Sequence, residues 1–415
     1  MSESRRRRPR AIVLALGGAT PDLLERAPSL AVLRERGTWR PIRSTIPPSA
    51  ACAWTSFATA QDPGQHGVFD SEQFRPGTYR LVATSGSTRR VRTIWEYLND
   101  RGLSVGLYQL PWTCPVPVRD GWTICGDEAP PPKAMLVAQP VDVGVFYVDA
   151  LAPDLSVREE ADRTIAELLT DLPEATAIIG VSAYGLAPAR IRVNLGRALA
   201  EAGLLCYDRR SLFAWGDYAQ VRLNLQGREP EGIVRPEERE AVVAEVKRVL
   251  LGIEDPETGE RLFRGALSRD ELYHGPHTEA AADVVGLPAE GVDAPGRLAA
   301  AEAPMVSAVT GAAPVHTLSG LFFAVGPVFR RGRVALRGEA SILDVGPTLL
   351  HALGVNLPQD IDGRVITRAF DPAYLAKHPP KYSEACLGPR ETVEEAYTEE
   401  EADEVEKRLR DLGYM

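Results

Sequence analysis

No apolar run in this 415-residue chain approaches the roughly 20 residues of a membrane span. Positive charge is not in excess: 57 Asp and Glu against 47 Lys and Arg leave a net charge of −10, which argues against a nucleic-acid-binding surface. The five cysteines, Cys52, Cys114, Cys125, Cys206 and Cys386, are odd in number, scattered and without metal-finger spacing. A reduced, cytoplasmic compartment is therefore expected. Internal repeats are absent as well. Only Arg5 to Arg8 concentrate positive charge, just ahead of the apolar Ala11–Leu16. That pairing resembles an export signal, but the apolar run is short and no small-residue cleavage pattern follows Gly17-Gly18. A disordered basic tail over residues 1–10, leading into a first buried strand, is expected instead.

What is present is the composition of a soluble globular protein, 44% apolar and 25% charged, long enough for one large core or two moderate ones. The first two hundred residues alternate short apolar runs with amphipathic stretches, the pattern of a doubly wound α/β domain. Strands are predicted at Ile12–Leu16, Val105–Gln109, Val145–Val148 and Ala177–Val181, with helices at Thr93–Arg101 and about Val157–Leu172. Ligands in such sheets sit beyond the carboxyl ends of the strands. Gly17, Asp149 and Ala183 all fall there. From about Ala189 to Thr310 proline, glycine and charge rise and the alternation becomes irregular, which suggests an inserted cap with a helix near Pro236–Leu251. Alternation resumes at Leu321–Val325 and Ile342–Gly354. Thr398–Glu401 reads as a capping box opening a last helix with Ala402, Val405, Leu409 and Leu412 at helical spacing. Ala129–Lys133 reads as a surface loop.

Several segments, in order and nearly end to end, resemble the type I phosphodiesterase/nucleotide pyrophosphatase family of the alkaline phosphatase superfamily. They are Leu16–Asp22, Ser44–Pro48, Ala53–Phe57, Asp62–Asp70, Gly227–Val234 and Asp344–Thr348, with Tyr397–Tyr414 similar to the family's tail. The resemblance implies an α/β fold, an alkaline-phosphatase-like α/β/α sandwich with core at 11–188 and 316–415 and an inserted cap region at 189–315. It also implies two metals, usually zinc, that clamp the attacking and leaving oxygens of a phosphodiester. One would be held by an Asp after the first strand, a Thr nucleophile and the Asp-His of a Ser-Asp-His-Gly segment; here those positions are Gly17, Ala50, Ala183 and Tyr184. The second would be held by an Asp and a His four residues apart and by a distant His; here those are Asp149, Pro153 and His316. The segment reads Ser182-Ala183-Tyr184-Gly185. Most donors are gone, so two-metal hydrolysis is not expected, and no metal or other cofactor is.

The remaining side chains support more than one reading. Asp149 and His316 could form a metal-free pair in which the carboxylate orients the imidazole for general acid–base work, or could be remnants in a shrunken polar pocket. Ser49, one residue before Ala50, could complete a Ser-His-Asp relay or simply cap a helix. Tyr184 could donate a proton or fill the volume that the metal left. Gly17, Ala50 and Ala183 would open space, so the cleft they share with Cys52 and Trp54 is expected to take an organic ligand rather than a phosphate. Cys52 could be an activated thiolate or a small buried side chain. His66 reads as a turn residue, and His274 and His277 read as exposed loop histidines, since Gly-Pro between them keeps them off one helical face.

Three functions stay open: a metal-independent protein that binds and transforms a small organic molecule by proton transfer (cyclisation, elimination or isomerisation), a pseudoenzyme with a binding or regulatory role, and a weak single-metal phosphodiesterase. A small organic molecule is the expected partner, without nucleic acid or membrane. A homo-oligomer is left open.

Overall fold

The computed structural model describes residues 9–21, 27–114, 118–125, 141–149, 155–170, 172–204, 212–215, 218–295, 303–311, 314–332 and 334–390; the side chains of 149, 155–161 and 212–215 lie outside the description. The basic run at Arg5–Arg8, the Ala129–Lys133 loop, Pro153, Cys206 and the expected C-terminal helix also lie outside the described residues.

An eight-stranded sheet organises the chain. Its strands are β1 (Ala11–Gly17), β2 (Thr38–Arg43), β3 (Val105–Tyr108), β4 (Gly121–Ile124), β5 (Val143–Asp149), β6 (Ala177–Ser182), β7 (Ser319–Val325) and β8 (Val334–Ala335), in spatial order β8-β2-β7-β6-β1-β5-β3-β4. Only β7 runs against its neighbours. The apolar run of β1 is continuous because both faces of the sheet are covered. Ala11, Val13 and Ala15 pack in one core with the helices Ala50–Thr59 and Val345–Ala352. Ile12, Leu14 and Leu16 pack on the other face with Leu30 and Leu33 of the helix Pro28–Arg36 and Ile165 of the helix Leu155–Leu169. This is the expected α/β/α layering, with a mostly parallel sheet between helices. At Gly180 on β6 the approach of β7 is close: a Cβ there would lie 1.9 Å from the Phe323 ring, so only glycine lets that ring cover the strand.

Local signals behave as their chemistry dictates. Thr93 and Glu96 form a reciprocal capping box at the start of the helix Ile94–Asn99, and Gly102, at φ 73°, ends that turn. The cysteine reading needs correction, because Cys114 and Cys125 are joined in a disulfide. Their spacing carries no signature, since the bond depends on the loop after β3 folding back beside the end of β4. The bond weighs against the reduced compartment expected from the sequence. Among the described residues no helix is long and apolar enough to cross a membrane.

Between β6 and β7 the chain builds a second, antiparallel sheet, Leu212–Trp215, Gln220–Leu223, Val284–Pro288 and Phe263–Ser268 in spatial order. The helix Arg239–Leu251 covers it, burying Val243, Val246 and Leu250 in a core of its own. Polar residues join this unit to the large sheet's layers. The Gln220 amide donates to Asp70, the Tyr79 hydroxyl donates to Asn224 Oδ1 at 2.9 Å, and the Tyr273 hydroxyl donates to the Ile46 carbonyl at 2.5 Å. His274 meets Asp362 at 2.9 Å.

Candidate functional site at the strand ends

The parallel register of β1 and β5 sets Gly17 opposite Asp149, and that of β1 and β6 sets Ala15 opposite Val181. The ends of β1 and β5 therefore meet, and β6 runs beside β1 on its other side. His316 arrives from a separate strand, Pro314–Thr317, paired antiparallel to Gly185–Pro188 with His316 opposite Leu186. The Ser182 hydroxyl donates to the Tyr184 carbonyl at 2.7 Å, which closes the turn between the two segments.

Tyr184 is the centre of this region. It is fully buried, and its ring centroid lies 4.5 Å from that of His316 and 6.5 Å from that of Trp54. Trp54 also meets Tyr147 edge-on at 5.8 Å. The Trp54 indole N–H is buried and has no hydrogen-bond partner among the described residues. Tyr147 escaped the sequence reading, although strand alternation sets it on the face of Asp149, two residues on. Ala50, Trp54 and Ala183 belong to the same buried core as Tyr184 and are at most 3% exposed; Gly17 and Cys52 are buried as well, Cys52 beside Thr45 and Ser56.

The titratable groups respond to this packing. Burial pushes His316 down to about 4, so its imidazole is neutral at neutral pH and free to accept a proton. Burial pushes the Cys52 thiol up, and the Asp70 and Asp62 carboxylates add to that against hydrogen bonds with Thr45 and Ser56. Cys52 is accordingly a buried thiol, and the helix start does not produce a thiolate. Ser49 is the N-cap of the helix Ala50–Thr59, its hydroxyl accepting the Cys52 N–H at 3.3 Å. No hydrogen bond joins Ser49 to His316 among the described residues. The Asp149 side chain, and with it the expected meeting of Asp149 with His316, lies outside the described residues.

The other histidines are elsewhere. His66 is fully buried, its Nε2 2.8 Å from the Ser56 hydroxyl and its Nδ1 accepting the Val68 N–H at 3.1 Å, as a turn residue would be. Burial, then the Arg89 charge, pushes it down to about 3. His274 is exposed but not idle, since it bridges Asp62 and Asp362.

A family model of type I phosphodiesterase / nucleotide pyrophosphatase matches residues 11–135 and 156–304. The chain belongs to this family. No curated protein matches it in sequence. Among solved structures, murine ectonucleotide pyrophosphatase/phosphodiesterase 5 is similar at 15% identity and a TM-score of 0.57, covering 83% of this chain and 95% of that one. An inactive form of the murine protein in complex with AMP is similar at 14% identity and a TM-score of 0.57, over 84% and 96% of the two chains. Phosphonoacetate hydrolase from Sinorhizobium meliloti 1021, in complex with phosphonoacetate, is similar at 18% identity and a TM-score of 0.58, over 82% and 94%. These likenesses establish the alkaline-phosphatase-like fold.

In this member of the type I phosphodiesterase family, the positions that the resemblance assigns to one of the metals are Gly17, Ala50, Ala183 and Tyr184. Gly17, Ala50 and Ala183 carry no donor atom, and the Tyr184 ring is packed into the core. Among the described residues no group of three or more His, Cys, Asp or Glu side chains is placed to hold a metal ion.

Proposed function

We propose that this chain is a degenerate phosphodiesterase homologue that lacks two-metal hydrolysis and binds a small organic molecule at the strand ends, transforming it by proton transfer without a metal. The observation that carries this reading is the Tyr184–His316 ring contact at 4.5 Å, between two positions that the resemblance assigns to metal donors. A neutral imidazole can accept a proton, a phenol can donate one, and the Trp54 indole N–H, without a partner among the described residues, offers a ligand a third polar contact. Cyclisation, elimination and isomerisation need no more than such a relay. The ligands named for structural neighbours, AMP and phosphonoacetate, are small organic anions, which supports a small molecule as partner. The net charge of −10 supports the absence of a nucleic-acid partner.

The near-complete burial of Ala50, Cys52, Trp54, Ala183 and Tyr184 favours a second reading, a non-catalytic pseudoenzyme with a binding or regulatory role. One experiment separates these from residual hydrolysis. Zinc per chain is measured by plasma mass spectrometry after dialysis against zinc, alongside hydrolysis of bis-p-nitrophenyl phosphate. The proposal expects well under one equivalent and no hydrolysis. About one equivalent, lost in His316→Ala together with measurable hydrolysis, would replace it with a single-metal phosphodiesterase on Asp149 and His316. A ligand that binds equally to the native chain and to Tyr184→Phe and is turned over by neither would favour the pseudoenzyme.

A further inference from the structure

The seam between the two units holds a cavity of about 420 Å³, apart from the strand-end site. Gln61 and Gln65 form one wall just after the helix Ala50–Thr59, whose length of about 15 Å separates the cavity from Ser49. His277 comes from the inserted unit, and Arg90 and Asp360 come from loops of the large one.

Three observations define its chemistry. First, Arg90 and His277 lie side by side over Gly67: a Cβ on that glycine would stand 3.1 Å from Arg90 Cγ and 3.4 Å from His277 Cγ. The backbone at Arg90 is held from both directions, its N–H donating to the His66 carbonyl and its carbonyl accepting from the Arg390 N–H. Its guanidinium forms no ion pair with any described carboxylate. Secondly, the carboxylates in the wall are already engaged. Asp360 accepts the Leu387 and Gly388 N–H groups, and Asp362 accepts the Asp62 N–H and meets His274. Among the described residues Arg90 and His277 thus remain as nitrogen donors that no carboxylate pairs with, although the Asp360 and Asp362 carboxylates share the lining. Thirdly, Gln61 is 3% exposed; its amide nitrogen donates to the Asp360 carbonyl at 2.6 Å, and its buried Oε1 has no donor among the described residues. A buried acceptor left unmatched is costly, and a ligand hydroxyl would satisfy it.

We propose that this seam cavity binds a small phosphate monoester bearing a hydroxyl group, with Arg90 and His277 holding the phosphate and Gln61 Oε1 accepting the hydroxyl proton. Two donors on separate walls suit a tetrahedral anion, whereas a carboxylate's two oxygens are satisfied by the Arg fork alone. Because His277 belongs to one unit and Arg90 to the other, the ligand ties the units together. Desolvation, and then the Arg90 charge, holds His277 below the usual histidine range in the free protein; the other titratable groups around it are His66, His274, Asp360 and Asp362. A phosphate placed between Arg90 and His277 opposes the Arg90 effect and favours the protonated imidazole.

The test is a ¹³C-histidine NMR titration of the full chain with glycerol 2-phosphate, inorganic phosphate and acetate. Glycerol 2-phosphate is expected to move the His277 midpoint upward and to bind more tightly than inorganic phosphate. Arg90→Gln, at an exposed position, should fold normally and weaken binding about tenfold or more. In Gln61→Met the advantage of glycerol 2-phosphate over inorganic phosphate should vanish. A His277 midpoint unmoved by either phosphate, equal binding in Arg90→Gln, or an equal effect of acetate each overturns the proposal. None of these readouts depends on the strand-end chemistry.

Discussion

The Tyr184 ring lies 4.5 Å from the His316 ring, tilted by 49°, and joins two segments that meet only as neighbouring strands beyond the sheet's end. Tyr184 is fully buried at this contact. Its energetic weight can be measured.

Tyr184→Ala should cost about 3–5 kcal/mol, as for other fully buried aromatics cut to alanine, while Tyr184→Phe should stay within about 1.5 kcal/mol. Urea unfolding of the two variants checks this. A cost near zero for alanine would mean that the ring lines open space.

His66 and His316 set an acid limit. Both have folded values below the ordinary histidine value, about 3 and about 4, so the unfolded chain binds more protons between those values and roughly 6.5. Their contribution is complete above that window and is lost as pH falls through it. Melting temperature should therefore decline from near pH 6.5 toward pH 4, and His316→Phe should flatten the upper part of that decline.

His274 acts in the opposite sense. Its hydrogen bond to Asp362 raises it above the usual histidine range against the effect of burial, with Asp62 adding to the rise. Stability from this bridge is present below the unfolded value and lost as pH rises through the folded one. In His274→Gln the alkaline slope of melting temperature between about pH 6.5 and 8 should shrink. The effect is small because the side chain is exposed and screened.

Asp283 is buried among Arg228, Arg239 and Arg269, the first pair at 2.7 Å and the other two at 3.3 Å. Burial opposes its charge, but the Arg228 hydrogen bonds and the neighbouring guanidiniums hold the carboxyl below its ordinary value. Asp283→Asn leaves three cations without their shared anion and should cost about 3–5 kcal/mol, read as a lower denaturation midpoint. If the variant is as stable as the parent, the inserted unit does not depend on this cluster.

The sequence by itself determined the sheet. Ile12–Leu16 reads as a strand covered on both faces because no polar residue interrupts it, and Thr93 with Glu96 announces a helix start through bonds made within one turn. That Gly17, Ala50 and Ala183 carry no donor side chain is a matter of residue type, legible at once. Tertiary structure decided what the remaining side chains touch. From residue type Ser49 reads as nucleophile or cap and Tyr184 as donor or filler; the fold adds that the Ser49 hydroxyl accepts the Cys52 N–H and that the Tyr184 ring is buried beside Trp54. The Cys114–Cys125 bond and the meeting of Arg90 with His277 over Gly67 have no sequence signal. The physical reason is that periodicity and capping record interactions within a turn or along a strand. Contacts between loops far apart in the chain depend on how whole layers close on one another.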